Sequence, residues 1–179
     1  EMHVKSDLKG VFSRLPRPLH KAAESNWPFE MHLPLQNEAR PVEFGIEDLI
    51  AGQWLMPADY WQLGLGLGGA EVALPAAENF IIEGRLKGLE VDRWLSLLTE
   101  ANATGLKPNP DFSDAGLSGW MNVVVDDLGV KQSSLGAVEL SLTREENYWR
   151  LNGQGEQVQG SIRFPAQGAA ERSIVADMT

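Results

Sequence analysis

The run Gly64-Leu65-Gly66-Leu67-Gly68-Gly69 satisfies the G-x-G-x-x-G spacing of nucleotide-binding loops. That spacing holds a pyrophosphate when a helix opens at the last glycine and turns its amino end towards the phosphates. Here Ala70-Glu71-Val72-Ala73-Leu74-Pro75 follows, and Pro75 arrives before a full helix can form. The glycines instead fall on alternate positions of a strand, where they mark close approach of another segment, a bend or curvature. The nucleotide reading fails on its own context.

The three histidines, His3, His20 and His32, are scattered, and none belongs to an H-E-x-x-H pattern or has a second ligand at metal spacing. His3 and His32 occupy the polar phase of alternating runs, which predicts solvent-facing side chains. The acidic pairs Asp126-Asp127 and Glu145-Glu146 lie near strand ends. General acid–base work needs two carboxyls held across a cleft, whereas neighbours on a strand point to opposite sides. There is no nucleophile elbow and no cysteine, so thiol catalysis, thiolate metal sites and disulfides are excluded. The sequence therefore predicts no catalytic residue, no cofactor and no metal ligand: the chain is not an enzyme.

The 179 residues suit one domain or one piece of a longer repetitive architecture. A hydrophobic fraction of 43% is enough for a core, and a net charge of −10 opposes binding to nucleic acid or to an anionic bilayer surface. It does not oppose binding of uncharged acyl chains. No run approaches the ~18 apolar residues of a membrane span.

What the sequence does contain is period-two alternation, the mark of strands with one apolar and one polar side. Phe29, Met31 and Leu33 form one such set; Val42, Phe44 and Ile46 another; Trp61, Leu63, Leu65 and Leu67 a third. Ile82 and Leu86 continue it, then Met121, Val123 and Val125, Val138, Leu140 and Leu142, Trp149 and Leu151, and Val158, Ile162 and Phe164. Short turn signals such as Arg144-Glu145-Glu146-Asn147 and Asn152-Gly153-Gln154-Gly155 separate these runs. The spacing predicts a curved antiparallel sheet, a meander, in a mainly β (β-rich α+β) fold with one or two short helices packed on it. A helical insert is expected at about 91–102, with Asp92 as its N-cap and its apolar stripe on the sheet. A shorter helix is expected within 14–26 after Pro18, and a loop at about 105–116.

Apolar strand face exceeds what one helix can cover, so either a second sheet closes the core or part of the face stays open to a ligand. The six tryptophans fit core packing, an apolar groove or sugar-stacking platforms.

Three stretches carry a family likeness: Ser6-Asp7-Leu8-Lys9-Gly10 with Leu15-Pro16-Arg17-Pro18-Leu19-His20-Lys21-Ala22 and Trp27-Pro28-Phe29; Leu89-Glu90-Val91-Asp92-Arg93-Trp94; and Tyr148-Trp149-Arg150-Leu151-Asn152-Gly153 with Gly160-Ser161-Ile162-Arg163-Phe164-Pro165. Taken in order, they make the whole chain resemble the YhdP-like proteins of the AsmA-like superfamily. The resemblance implies one β-rich segment, residues 1–179, of a larger periplasmic protein anchored in the inner membrane of Gram-negative bacteria. It implies a long curved groove that conducts phospholipid between inner and outer membranes, with phospholipid or fatty acyl chains and the rest of the parent chain as partners. Groove-facing residues are then expected at Trp61, Leu63, Leu65, Val138, Leu140, Leu142, Ile162 and Phe164. Two rival readings are a β-sandwich module for carbohydrate or a protein partner, and a purely structural scaffold.

Overall fold

A computed structural model describes residues 1–35, 40–56, 60–103, 117–166 and 175–178, the side chains at 98–103, 176 and 178 excepted. The loop expected at about 105–116 lies outside the described residues. The first strands are β1 (Met2–Ser6), β2 (Phe29–Leu33), β3 (Val42–Ile46), β4 (Ile50–Leu55), β5 (Gln62–Leu67) and β6 (Phe80–Leu86). A short β7 (Leu89–Glu90) leads into α1 (Val91–Ala103). Then come β8 (Gly119–Val125), β9 (Leu128–Val130), β10 (Ser133–Ser134), β11 (Val138–Glu145), β12 (Tyr148–Gly155), β13 (Gln159–Pro165) and β14 (Val175–Met178).

Eleven strands form one sheet in the order β1-β2-β3-β4-β5-β6-β8-β11-β12-β13-β14, so the chain adds strands side by side and leaves the sheet twice, for β7 and α1 between β6 and β8 and for β9 and β10 between β8 and β11. The sheet is open, with β1 and β14 at its two edges. The turn expected at 144–147 closes the β11–β12 hairpin, whereas 152–155 lies inside β12 and the chain turns between β12 and β13 instead. Eight of the ten neighbouring pairs are antiparallel. β6 departs from this: it runs parallel to both β5 and β8. The reason lies in its connections, since 68–79 and 87–118 are long enough to carry the chain back to the starting edge, which a parallel pair requires.

The two departures from the large sheet carry the rest of the fold. β7 pairs parallel with β9, and β9 antiparallel with β10, giving a separate three-stranded sheet. α1 packs on β9 rather than across the large sheet, which corrects the expected placement. Asp92 is not its N-cap either. It sits inside the first turn, and its carboxylate accepts the Lys131 backbone N–H at 2.9 Å, tying the helix to the turn after β9.

No helix forms within 14–26. The Arg17–Pro18 peptide is cis, and a bridge joins Ser13 to Lys21. Lys21, 3% exposed, donates to the carbonyls of Val11, Ala22 and Ser25 at 2.9, 3.1 and 2.6 Å. Local carbonyls that a helix would bond internally are thus held by one ammonium group, and the segment folds around it as a compact loop. That loop reaches α1, where the Trp94 indole N–H donates to the Arg17 carbonyl at 2.8 Å.

Candidate functional site: the inner face of the sheet

Residues opposed across a strand pair share a side of the sheet, so the register sorts the side chains. One transverse row runs Val4, Met31, Phe44, Gly52, Leu65, Ile82, Met121, Leu142, Leu151 and Ile162, one residue from each strand of the sheet from β1 to β13. A second row runs Met2, Leu33, Trp54, Leu63, Phe80 and Gly119, and continues through Arg144, Trp149 and Phe164. Nine strand spacings at about 4.8 Å make such a row about 43 Å long. Among the described strand residues of this face, Arg144 is the lone charge; its guanidinium lies 5.2 Å from the Trp149 ring centroid.

This apolar face is the inside of the bend. Phe80 on β6 and Trp149 on β12 stand three strand spacings apart, about 14 Å along a flat sheet. Their ring centroids nevertheless meet at 5.6 Å with planes 30° apart, and Trp149 is only 5% exposed. The space between them is left by Gly119, where a Cβ would stand 2.6 Å from the Phe80 ring. The opposite side carries the charges. Lys5 pairs with Glu30 at 2.8 Å, Arg85 with Asp126 at 2.6 Å, and Glu145 with Arg150 and Arg163 at 2.7 and 3.0 Å. The Lys5 ammonium, by hydrogen bond and charge, holds the Glu30 carboxyl below its ordinary value of 4.5. Asp126 raises Arg85 in the same way.

The inner face is covered along one rim. Leu67, Leu86, Val123, Val125 and Val138 are buried together with Leu128 of β9, and Leu89, Val91 and Leu135 pack against them. Away from that rim most inner residues are half-buried, Trp149 is buried, and Met2 and Trp54 are 44% and 41% exposed.

The predicted positions divide accordingly. Leu63, Leu65, Leu140, Leu142, Ile162 and Phe164 all lie on the inner face and are half-buried. Leu65 and Leu140 border the closed rim, whereas Val138, 1% exposed, lies within it. Trp61 precedes β5 and is half-buried; its carbonyl accepts from the Asn79 amide at 3.1 Å. Sequence reasoning passed over Phe80, because Ile81 and Ile82 blur the alternation there. It also left Met31 and Phe44 out of the groove, although their runs alternate cleanly, and Trp54, whose run Ile50-Ala51-Gly52-Gln53-Trp54-Leu55 does not.

The glycine-rich run is explained by packing. Gly64 and Gly66 point to the outer side, where the β5–β6 connection crosses so closely that a Cβ would stand 2.6 Å from the Ala73 carbonyl oxygen and 1.9 Å from that of Ala70. No helix follows. Clefts of about 590 and 830 Å³ lie off the inner face. The first is on the outer side beside Glu43, Gln53 and Glu71, the second between the Lys21 loop and the ends of β5 and β6.

An open, bent, mostly antiparallel sheet with one continuous apolar side is a one-sided β-groove, a scaffold that can shelter hydrocarbon without chemistry. The model of the YhdP protein family matches residues 1–178, and the chain belongs to that family. Membership accords with an envelope protein related to lipid transport. No curated protein and no solved structure matches the chain. No helix among the described residues is long and apolar enough to cross a membrane.

Proposed function

We propose that this chain is a non-enzymatic segment of a periplasmic conduit, in a parent anchored in the inner membrane, that shelters phospholipid acyl chains passing between inner and outer membranes. The observation that supports it is the inner face: apolar in register across the sheet apart from Arg144 and, among the described residues, covered along one rim only. Exposing an acyl chain to water costs about 0.8 kcal/mol per CH₂, a prohibitive sum for a whole lipid. A trough that replaces water along the tail removes this cost, and its open side leaves room for a polar head group. Leu63, Leu142, Ile162 and Phe164, joined by Phe80 and Leu151, are the proposed tail contacts; Val138 belongs to the wall of the trough. The rest of the parent chain is the second partner, since β1 and β14 each pair on one side only.

A closed β-sandwich would need a facing sheet over the whole inner face, and the three-stranded sheet meets only its rim.

The test is mass spectrometry of organic extracts from the purified chain. Phospholipid or fatty acid should co-purify, and Leu142→Asp should lose it while keeping its far-ultraviolet circular dichroism. Thr143→Asp, exposed on the outer side one residue along, should retain it. Equal lipid in wild type and Leu142→Asp, or none in the wild type, overturns the reading.

A further inference from the structure

The whole connection 7–28 separates His3 from His32 in the sequence, but the register of β1 and β2 sets them directly opposite each other on the outer side. Their rings approach to 4.1 Å between centroids, tilted by 47°. Glu1, two residues before His3 and on the same side of the strand, brings a carboxylate oxygen to 3.5 Å from His3 Nε2. One ligand atom from each of Glu1, His3 and His32 lies within 4.8 Å of the others. Ligand atoms around a tetrahedral zinc ion stand about 3.3 Å apart, given bonds of about 2.0–2.1 Å. Side-chain rotation supplies the difference, because Glu1 and His3 are exposed and His32 is half-buried.

A carboxylate stands behind His32 in the same transverse row, close enough to reach it by side-chain rotation. Glu43 on β3 opposes His32 and places a carboxylate oxygen 3.9 Å from its Nδ1, which leaves the ring's other nitrogen for a ligand bond. Glu43 is itself met by the Gln53 side-chain amide of β4 at 3.4 Å. A carboxylate behind a ligating imidazole fixes its tautomer and raises its basicity, the arrangement that surrounds protein-bound transition metals.

We propose that Glu1, His3 and His32 form a site for a borderline divalent transition metal of the zinc type, with Glu43 positioning His32. Two imidazoles and one carboxylate suit such an ion, and select against Mg²⁺ and Ca²⁺, which require oxygen donors. Three protein ligands leave a fourth position for water. Bound there, the metal joins β1 to β2, and so fastens this strand pair from its wet side. This function is independent of any lipid on the inner face.

Isothermal titration with ZnCl₂ in a non-chelating buffer tests it. The chain should carry a few extra residues before Glu1, because a free amino terminus two residues before a histidine is itself a metal chelator. One Zn²⁺ per chain is expected, together with slowed amide exchange in β1. His3→Gln and His32→Gln should each weaken binding at least tenfold. Glu43→Gln should weaken it about tenfold, the effect of removing an outer carboxylate. His20→Gln should change nothing. Unaltered Zn²⁺ affinity in the His3→Gln/His32→Gln double variant, or equal affinity for Mg²⁺, overturns the proposal.

Discussion

Gly66→Ala and Gly45→Ala form a matched pair that tests why the glycine-rich run exists. Both residues face the outer side in one transverse row, Gly45 opposite Ala51 and Ala51 opposite Gly66. At Gly45 the added methyl group would meet the Ile50 carbonyl oxygen at 3.6 Å, an ordinary contact. At Gly66 it would fall 1.9 Å from the Ala70 carbonyl oxygen, and the obstacle is backbone rather than a side chain that can turn. Relief needs a displacement of about 1.5 Å in the β5–β6 connection, and overpacking of this kind costs about 1–3 kcal/mol. Restricting the unfolded chain returns about 0.4–1 kcal/mol to either variant. Gly66→Ala should therefore be about 1–2 kcal/mol less stable, roughly 2–8 °C in Tm for a chain of this size, and Gly45→Ala neutral or slightly more stable. Urea unfolding at unchanged slope measures the difference. Equal stability of the two variants would refute the close-approach argument. Nucleotide binding lost only in Gly66→Ala would restore the phosphate-loop reading in its place.

Two further perturbations address the loop and the edge strand. Lys21→Met keeps the apolar stem but leaves the carbonyls of Val11, Ala22 and Ser25 without their shared donor. It should cost about 2–3 kcal/mol, seen as faster amide exchange throughout 7–28 with the β8–β11–β12 amides unaffected. The Lys5–Glu30 pair gives a pH signature. Because the folded Glu30 carboxyl titrates below its ordinary 4.5, its contribution to β1–β2 pairing is complete above about that pH and is lost as the pH falls through the lower folded value. Carboxyl-carbon NMR of Glu30 should show this lowering diminish in Lys5→Met, and an unchanged titration would refute it. The effect on stability is small, as both side chains are more than half exposed.

The strands were legible because one side of each is dry: in Val138, Leu140 and Leu142 or Val42, Phe44 and Ile46, the period of two is itself the burial pattern. The helix at 91–103 was legible from Val91, Trp94, Leu95 and Leu98, but its partner was not, since β9 is three residues long and carries no periodic signal. The loop around Lys21 looked helical because Leu19 to Glu24 has the right composition, and composition does not reveal that a buried ammonium will claim the carbonyls. Register is the least legible property of all. It depends on which hairpin closes where, so neither the His3–His32 juxtaposition nor the stacking of Phe80 on Trp149 can be read from spacing along the chain.

The parallel strand β6 and the partial cover of the inner face have one cause. A chain of hairpins alone would leave the apolar side bare along its whole length, because tight turns carry no spare residues to fold over it. To enter β8 parallel to β6, the chain must return across the sheet, and that return delivers β7 and α1 to the end where Leu86 and Val125 emerge. The short hairpin of β9 and β10 then meets β7, and Leu89, Leu128 and Leu135 come down on Leu67, Val125 and Val138. Buried valines at this rim anchor the sheet, which frees Leu142, Leu151, Ile162 and Phe164 from serving as closed core. A stable sheet that keeps an apolar side partly open needs such a division. Disrupting the cap with Leu128→Asp should therefore unfold the central strands, seen as faster amide exchange in β6 and β8, rather than yield a wider trough.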